Sequence, residues 1–557
     1  MSASANIARH LAAHALAQPA QPALKIPRGR RAGRIEYLTL TYAELAAEVA
    51  AQRARLAAAG LRPGDRTLVM VRQGLPLLAV VFALFELGAV PVVIDPGMGR
   101  KSFLRCVAHS RPRALVGIPA ARLAAWVFRR AFRSVELRIG VSGTNTARLT
   151  RPGALRAPDA PPALARAEGD LAAILFTSGS TGAPKGVLYT HGQFDAQVSL
   201  IRETYGIEPG EVDLPLLPLF ALFAPALGMT TIVPELDPSR PAQADPAKLV
   251  QAILQEKVTT SFGSPTLWGN VAVYCKGAHL KLPTLRRVLC AGAPVPPWLW
   301  ETLSDLMPGG VLHSPYGATE VLPVSTIAAT DVVHGTAWET LRGAGVCVGR
   351  VLPENRVKII APEQGPLARL TETRELPVGA VGEIIVTGPT VTTGYDALPE
   401  ADALSKIAGP DGMVWHRMGD LGRIDAAGRL WFCGRKVETV HTERGPLYPA
   451  CVEPLFDIHD DVRRCALIGL GPVGRQRPAL VVEPTQGDLI RAGADCRRLA
   501  RELRAIALRH EHTTAIKVFY FRETLPVDVR HNAKIHRLTL ARWAAEGAVG
   551  HESDPKR

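Results

Sequence analysis

A short apolar run that ends in a loop of glycine and hydroxyl residues constrains the fold of this chain more than any other feature. Residues 171–176 are apolar and of strand length, and residues 177–186 follow as TSGSTGAPKG. Glycines let backbone N–H groups wrap around an anion, the hydroxyls add donors, and Lys185 supplies positive charge. The pattern predicts a phosphate-binding loop made of Thr177, Ser178, Gly179, Ser180, Thr181, Gly182 and Lys185. The alternative is a flexible linker, but a linker has no reason to follow a buried strand and end in Pro-Lys-Gly.

The first hundred residues alternate between helix-like and strand-like segments. Thr41 is a predicted N-cap for an Ala/Leu-rich helix, and residues 75–87 form a second apolar helix. Residues 67–71 and 90–94 are predicted strands. Helices and strands in alternation predict an α/β fold with a parallel sheet covered by helices.

At 557 residues the chain is too long for one hydrophobic core, so we expect several domains. Residues 151–168 are rich in Pro and Ala and predict a connector. Residues 346–432 have the short strands and frequent Gly turns of a β-rich region. The last hundred residues predict a small α/β unit, with strands at 466–469, 480–483 and 517–521 and a helix at 495–509.

Charge and cysteine content narrow the function classes. The 65 Lys and Arg against 51 Asp and Glu give a net charge of +14, which attracts polyanions without choosing among them. No basic array with interleaved aromatics is present in the sequence, so nucleic acid is not an expected partner. The eight cysteines show no paired spacing, which favours buried thiols in a reducing compartment over a zinc site or disulfides.

The sequence gives no reason to expect a secreted or membrane-spanning protein. Residues 1–24 predict an Ala-rich amphipathic helix without the apolar core of a signal peptide. The longest apolar run, residues 75–85, is too short to span a bilayer. We therefore expect a cytoplasmic protein. The basic amphipathic segment 126–133 predicts either an ordinary surface helix with a buried aromatic face or a peripheral contact with a membrane or partner.

Further motifs follow the loop in a fixed order. They are YGATE at 316–320, GAVGEI at 379–384, GP at 388–389, GY at 394–395, WHRMGDLG at 415–422, GR at 434–435 and NAKIHR at 532–537. This ordered set resembles the adenylate-forming enzymes, the family that includes acyl-CoA synthetases, peptide-synthetase adenylation domains and firefly luciferase. The resemblance covers residues 41–537.

The resemblance implies a domain organisation as well as a fold. A large N-terminal AMP-binding domain, residues 1–434, would hold mixed and parallel sheets together with a β-rich subdomain. A small mobile α+β lid domain, residues 435–545, would carry the catalytic lysine, and residues 546–557 would form a tail.

The resemblance also implies ATP and Mg²⁺ as cofactors. The loop would hold the β- and γ-phosphates, Thr319 would donate to the α-phosphate, and Glu320 would bind Mg²⁺, a hard cation that prefers oxygen ligands. Lys534 would neutralise charge between the carboxylate and the α-phosphate, because catalysis here rests on positioning and charge stabilisation. The implied catalytic residues are Lys185, Thr319, Glu320 and Lys534.

The other implied nucleotide contacts come from three segments. Tyr316 and Gly317 would pack on adenine beside the Gly292-Ala293-Pro294 turn, Asp420 would accept hydrogen bonds from the ribose, and Arg435 would lie close by. Taken singly, Glu320 or Asp420 is as readily a helix cap or surface acid, and Lys534 a solvated lysine. The ordered context favours the functional interpretation.

Three departures from the family pattern bear on the reaction. Val437 stands where the family usually has an acidic or lysine hinge residue, which weakens the case for transfer to CoA. The lysine segment is two residues longer than the usual Pro-x-x-x-x-Gly-Lys pattern, with Asn-Ala in place of the glycine. The apolar stretch 214–229 predicts either an alkyl channel or simple core packing. Its candidate lining residues are Leu216, Leu217, Leu219, Phe220, Leu222 and Phe223.

The whole pattern most resembles the β-lactone-forming members of the family, which serve bacterial long-chain olefin biosynthesis. That resemblance implies activation of a 2-alkyl-3-hydroxyalkanoic acid as an acyl-adenylate, followed by attack of the substrate's own 3-hydroxyl, and it raises assembly with other enzymes of the pathway. Because the nucleophile is tethered, no thiol carrier is needed. A fatty acyl-CoA synthetase or acyl-AMP ligase is the alternative, and a catalytically silent nucleotide- or acyl-binding scaffold is the remote one.

Overall fold

The computed structural model describes residues 4–141, 161–177, 183–237, 240, 243–486, 493–528 and 534–552. The described residues belong to two compact units. The first unit comprises Met1–Val324 and Thr387–Lys406, and the second comprises Ser325–Val386, Ile407–Asp528 and Asn532–Arg557. The predicted domain boundary between residues 434 and 435 stays a prediction.

The helices of the described residues range from single turns to more than four turns. They are α1 (Arg9–Ala17), α2 (Tyr42–Ala58), α3 (Leu75–Leu87), α4 (Arg100–Ser110), α5 (Pro119–Val127), α6 (His191–Tyr205), α7 (Phe223–Ala226), α8 (Pro246–Glu256), α9 (Pro265–Gly277), α10 (Pro297–Leu306), α11 (Ala329–Asp331), α12 (Ala337–Thr340), α13 (Pro399–Ser405), α14 (Pro449–Val452), α15 (Gly493–Ala507) and α16 (Arg537–Ala545).

The strands are mostly short, and the longer ones form hairpins. They are β1 (Pro22–Arg31), β2 (Arg34–Thr41), β3 (Arg66–Met70), β4 (Val90–Val93), β5 (Ala114–Gly117), β6 (Leu137–Gly140), β7 (Leu171–Phe176), β8 (Gly186–Thr190), β9 (Val212–Pro215), β10 (Thr230–Ile232), β11 (Thr260–Gly263), β12 (Arg287–Cys290), β13 (Val311–Ala318), β14 (Val321–Ala328), β15 (Val346–Val351), β16 (Arg356–Ile360), β17 (Gly382–Thr387), β18 (Lys406–Ala408), β19 (Val414–Ile424), β20 (Arg429–Arg435), β21 (Val440–Thr442), β22 (Gly445–Leu447), β23 (Val462–Leu470), β24 (Arg477–Pro484), β25 (Val518–Phe521) and β26 (Gly550–Glu552).

The first unit contains a six-stranded sheet in the order β6-β5-β3-β4-β7-β8. Its strands run parallel except for β8, which pairs antiparallel with β7. Leu68, Val92 and Ile174 lie fully buried in its core. A capping box starts α2, because the Glu44 N–H donates to Thr41 Oγ1 at 3.2 Å and the Thr41 N–H donates to Glu44 Oε2 at 2.7 Å. The predicted parallel α/β architecture and the Thr41 cap are confirmed.

A second sheet of the first unit has the strand order β13-β12-β11-β9-β10-β1-β2. Strands β12, β11, β9, β10 and β1 are parallel to their neighbours, and β2 closes the edge in an antiparallel hairpin with β1. Because carboxyl ends of parallel strands meet at one edge, the turns after β11, β12 and β13 are candidates for binding residues.

The second unit combines an antiparallel sheet with a smaller mixed sheet. Within this unit the order β16-β17-β19-β20-β15-β14 accounts for the β-rich region predicted at 346–432. The four-stranded sheet β23-β24-β25-β26 carries α15 and α16, and its core includes the fully buried Leu467, Leu480 and Phe519. The small α/β pattern predicted for the last hundred residues is confirmed.

Two predictions for surface segments were wrong. The N-terminal helix covers only Arg9–Ala17, and β1 begins at Pro22, since the prolines at positions 19 and 22 stop the helix that the Ala-rich composition suggested. Segment 126–133 is not one helix, because α5 ends at Val127. Phe132 is buried with 1% of its surface exposed, whereas Trp126 is 63% exposed, so the segment has no continuous aromatic face.

All eight cysteines are buried, as predicted. Across the described ranges, no helix combines the length and apolar character needed to cross a membrane.

Candidate active site

The predicted phosphate loop spans the turn between β7 and β8. Its base is closed by two hydrogen bonds, in which the Thr177 N–H donates to the Lys185 carbonyl at 3.0 Å and the Lys185 N–H donates to Thr177 Oγ1 at 3.3 Å. The antiparallel ladder from Phe176 and Gly186 onward holds this base in place. The predicted phosphate ligands Ser178, Gly179, Ser180, Thr181 and Gly182 lie outside the described residues.

Thr319 and Glu320 form the two-residue turn between β13 and β14. The Tyr189 hydroxyl on β8 donates a hydrogen bond to the Thr319 carbonyl, which ties this turn to the strand that follows the phosphate loop. Gly317 has no room for a side chain, because a Cβ there would lie 2.6 Å from the Val321 carbonyl oxygen. The glycine therefore allows the close approach of the two strands that form the turn.

The carboxylate of Glu320 is held by Tyr395. The Tyr395 hydroxyl donates to Glu320 Oε1 at 2.7 Å, and Lys185 Nζ lies over the tyrosine ring, 4.6 Å from its centroid. Burial, followed by the negative charge of Glu320, raises the pKa of Tyr395, so its hydroxyl keeps its proton at neutral pH. Tyr395 thus links the lysine of the loop to the predicted metal ligand.

A half-buried lysine supports the main chain of this cluster. Lys406 Nζ donates to the carbonyl of Thr392, whose own N–H and hydroxyl donate to the Glu320 carbonyl at 2.9 Å and 3.0 Å. Burial lowers the pKa of Lys406 to about 8, against the opposing effect of the Glu320 and Asp402 charges. The hydrogen bonds from Lys406 to Thr392, and from Thr392 to Glu320, therefore hold the main chain of Glu320 in place.

The turn predicted beside adenine follows β12. Gly292 has a φ of +98°, a conformation that favours glycine, and it and Ala293 are half-buried while Pro294 is exposed. Tyr316 on β13 is also half-buried. The turn after β12 and the end of β13 belong to neighbouring strands of one sheet.

An apolar cavity of about 60 Å³ lies against the same sheet of the first unit. Pro315, Leu322 and Pro323 line the end that adjoins the Tyr316–Glu320 motif. Of the six residues predicted for an alkyl channel, only Phe220 and Phe223 line it. Leu216 and Leu217 are instead buried in the core, with 1% and 3% of their surface exposed. The rest of the lining is apolar except for Tyr205, Asp213 and Thr260.

In the second unit, Asp420 and Arg435 face each other across an antiparallel strand pair. Asp420 lies on β19 and is paired in register with Arg435 at the end of β20, and Arg435 Nε lies 3.1 Å from Asp420 Oδ1. Only 6% of the Asp420 side chain is exposed. The ion pair fixes the direction of a buried carboxylate that has further acceptor capacity for ligand hydroxyls.

Lys534 lies beside Asp528 in the second unit. Its N–H donates to Asp528 Oδ1 at 2.8 Å, and the Asp528 N–H donates to the Lys534 carbonyl at 3.1 Å. The neighbouring residue Ile535 packs on the sheet with Leu525 and Leu540. Asp528 therefore determines the backbone position of the predicted catalytic lysine.

The junction that follows Arg435 is a single helical turn, Lys436–Glu438. Val437 in this turn is 52% exposed, whereas Glu438 is held by Arg537 at 3.0 Å. Arg537 also binds Glu453, at 2.5 Å. The acidic residue after the junction is therefore engaged in a structural ion pair of the second unit.

The predicted site residues fall into three local groups. The first unit joins Thr177, Lys185, Thr319 and Glu320 through Tyr189 and Tyr395, and the second unit pairs Asp420 with Arg435 and holds Lys534 on its small sheet. Sequence reasoning assigned no role to Tyr395, although its Gly-Tyr motif was recognised, and it missed Lys406 and Asp213. The aspartate directly before the apolar stretch 214–229 was the signal available for Asp213, whereas Lys406, which follows Asp402 and Ser405, carries no such local signal.

A family model described as "AMP-binding enzyme" matches residues 11–396. The chain belongs to the AMP-binding enzyme family. Over 98% of its length it is 45% identical to an olefin β-lactone synthetase of Stenotrophomonas maltophilia (strain K279a), of which the match covers 99%. A protein of the same name from Xanthomonas campestris pv. campestris is 44% identical, with 99% of both chains covered. The predicted resemblance to adenylate-forming enzymes and to their β-lactone-forming members is confirmed.

Solved structures agree with the fold. An amide bond synthetase from Marinactinospora thermotolerans superposes with a TM-score of 0.76 at 25% identity, covering 97% of this chain and 99% of that one. The ATP-bound MatB of Rhodopseudomonas palustris gives a TM-score of 0.76 at 22% identity, with 98% and 99% coverage. The chain therefore has the adenylate-forming enzyme fold, and its family and its curated relatives identify it as an AMP-forming ligase, as predicted.

Proposed function

We propose that the enzyme converts a long-chain 2-alkyl-3-hydroxyalkanoic acid and ATP into a β-lactone, AMP and pyrophosphate. The observation that carries the proposal is the near full-length similarity, at 44–45% identity, to two olefin β-lactone synthetases. The cluster around Glu320 would supply the chemistry, and the adjoining cavity has the apolar lining that an alkyl chain requires. The cavity suits an alkyl chain, since each buried CH₂ contributes about 0.8 kcal/mol.

In the first step a carboxylate oxygen of the acid attacks the α-phosphorus of ATP. A new P–O bond forms, the bond to the bridging oxygen breaks, and pyrophosphate leaves with its electron pair. Thr177 and Lys185 would hold the β- and γ-phosphates at the base of the loop, and Thr319 would donate to the α-phosphate. Lys534 would neutralise charge between the two reacting anions, an effect that matters most in a site that excludes water.

Glu320 fits the role of a magnesium ligand. Its Oε1 accepts a hydrogen bond from Tyr395, so the carboxylate is oriented while its other oxygen keeps lone pairs for a hard cation. Bound Mg²⁺ would neutralise phosphate charge during the displacement. Tyr395 and Lys406 would keep the carboxylate in place, and Lys185 would add positive charge on the phosphate side.

Nucleoside recognition would use three further segments of the chain. The Gly292-Ala293-Pro294 turn and Tyr316-Gly317 would contact adenine. Asp420, oriented by Arg435, would accept hydrogen bonds from the ribose hydroxyls. We also propose that the lid domain begins near Arg435, because this pair stands at the end of β20, where the chain enters the turn that contains Val437.

In the second step the 3-hydroxyl oxygen attacks the acyl carbon of the adenylate. The ring C–O bond forms, the acyl–phosphate bond breaks, AMP departs and the hydroxyl proton is released. Because nucleophile and electrophile belong to one molecule, their effective concentration is high and no second substrate is needed. The valine at position 437 and the ion-paired Glu438 agree with a chain that has no need of a CoA-dependent lid rotation.

A substrate analogue without the 3-hydroxyl tests this two-step scheme. With ATP and Mg²⁺, the matched 2-alkyl acid should release about one equivalent of pyrophosphate and then stop, since its acyl-adenylate cannot cyclise. The 3-hydroxy acid should release pyrophosphate continuously. Equal steady turnover of both acids in the absence of any added acceptor would contradict an intramolecular second step.

A further inference from the structure

One carboxyl group lies in the apolar cavity without a role in the proposed chemistry. Asp213 on β9 lines the cavity together with Phe220, Phe223 and Met229, and only 7% of its surface is exposed. No described residue makes a hydrogen bond to its carboxyl group. An acid inside an alkyl-binding cavity is costly, because a buried polar group without a partner loses its bonds to water.

The strand register gives the depth of this carboxyl. Asp213 on β9 pairs in register with Thr260 on β11. Two positions further along β11, Phe262 pairs with Leu289 on β12, which in turn pairs with His313 on β13. Pro315, at the end of the cavity next to the Tyr316–Glu320 motif, is therefore four strand positions further along. At about 3.3 Å per residue, Asp213 lies roughly 13 Å from that end along the strand direction, and we call the part of the cavity at this depth its floor.

Burial keeps this acid neutral. Desolvation, strengthened by the charge of Glu211 directly before the same strand, raises the pKa of Asp213 to about 8. Glu211 is itself bound to Arg287 of β12, which also donates to Thr260 Oγ1 at 2.8 Å, so the nearby cation is already engaged. From α6 the only polar group in the lining is Tyr205, whose ring meets that of His313.

We propose that Asp213 is a specificity-determining residue that limits the length of the alkyl arm entering this cavity. The inference rests on the proposed function, because it takes the cavity as the acyl site. A chain that stops short of the floor leaves the carboxyl to water. The methyl end of a longer chain would contact the O–H and C=O groups of the neutral carboxyl and displace water from them. Because a methyl group forms no hydrogen bond in return, affinity would fall about tenfold or more.

Binding of non-hydrolysable acyl-adenylate mimics of graded length, from butanoyl to hexadecanoyl, tests the inference by calorimetry. With the native enzyme, affinity should rise with chain length and then fall once the chain reaches the floor. Asp213→Leu should remove the fall and tighten binding of the longest mimics by about tenfold, while leaving the shortest unchanged. Asp213→Asn, which keeps an unpaired polar group, should retain the native profile.

Two further arms keep the inference testable if Asp213→Leu folds poorly. Between pH 7 and pH 9 the native carboxyl ionises, so long mimics should bind more weakly at the higher pH, whereas Asp213→Asn should show no such change. A native length profile in a folded Asp213→Leu enzyme would overturn the inference. The inference would also be overturned if the native enzyme bound a long mimic with a terminal hydroxyl more tightly than the same mimic without it, because Asp213 would then recognise a polar end. These mimics bind whether or not a lactone forms, so failure here is separate from failure of the proposed reaction.

Discussion

The hydroxyl of Tyr395 donates a 2.7 Å hydrogen bond to Glu320 Oε1, although 75 residues separate the two in the chain. We predict that Tyr395→Phe raises the Mg²⁺ concentration needed for half-maximal pyrophosphate release by about tenfold, because a hydrogen bond to a charged group contributes about 1.5–3 kcal/mol. Saturating Mg²⁺ should restore most of the activity. Tyr274→Phe on α9 is the matched control and should behave as the native enzyme. An unchanged Mg²⁺ dependence in Tyr395→Phe would show that this hydrogen bond does not orient a metal ligand.

The half-buried Lys406 leads to a prediction about stability. Its pKa is lowered by burial from 10.5 to about 8, so between these values the unfolded chain binds a proton that the native protein does not. Stability attributable to this group therefore rises with pH through that window and is lowest below pH 8. Relative to Lys406→Met, the free energy of unfolding of the native enzyme should rise by about 2 kcal/mol between pH 8 and pH 10. Denaturant titrations at several pH values measure this difference, and parallel curves for the two proteins would contradict the prediction.

Asp420 is predicted to serve ribose recognition. Asp420→Ala should raise the KM for ATP by about tenfold or more, since a buried ribose would lose a charged acceptor. The matched control is Asp411→Ala, because Asp411 pairs with Arg356 at the surface of the same unit. Pyrophosphate release at graded ATP concentrations separates the effect on KM from that on kcat. A native KM for ATP in the Asp420 variant would remove this residue from the nucleotide site.

Lys534 is predicted to act in adenylation and not in folding. Lys534→Ala should slow pyrophosphate release by roughly 10²–10³, comparable to the loss of one transition-state donor. Asp528 fixes the backbone at this position, so the melting temperature should stay close to the native value. Lys517→Ala, at an exposed position of the same unit, is the control. Native rates of pyrophosphate release in Lys534→Ala would exclude a role in the first step.

Local signals in the sequence predicted a large part of the fold. The Thr41–Glu44 capping box, the apolar helix Leu75–Leu87 and the strand Leu171–Phe176 each carry their signal within a few residues, and each appears at the predicted place. The β1–β2 hairpin was missed, because Pro22 and Gly29 interrupt the strand pattern and the ladder shifts register there. Tertiary pairing, not local propensity, makes these residues a strand pair.

The residues of the candidate site likewise divide into those that local sequence predicts and those that only the tertiary fold brings together. The ordered motifs predicted Lys185, Thr319, Glu320, Asp420 and Lys534 from short stretches of chain. The partners that hold them come from elsewhere, since Tyr395 reaches Glu320 and Tyr189 reaches Thr319 only after the sheets have formed. The position of Asp213 at the floor of the cavity depends on the register of β9 with β11, which no single segment encodes.

The reaction product with and without CoA tests the central claim most directly. The enzyme would be incubated with ATP, Mg²⁺ and a 2-alkyl-3-hydroxy acid of long chain length, and the products identified by mass spectrometry. We predict the β-lactone and AMP in equal amounts, at the same rate whether or not CoA is present. An acyl-CoA thioester as the only product, formed only when CoA is added, would contradict the account.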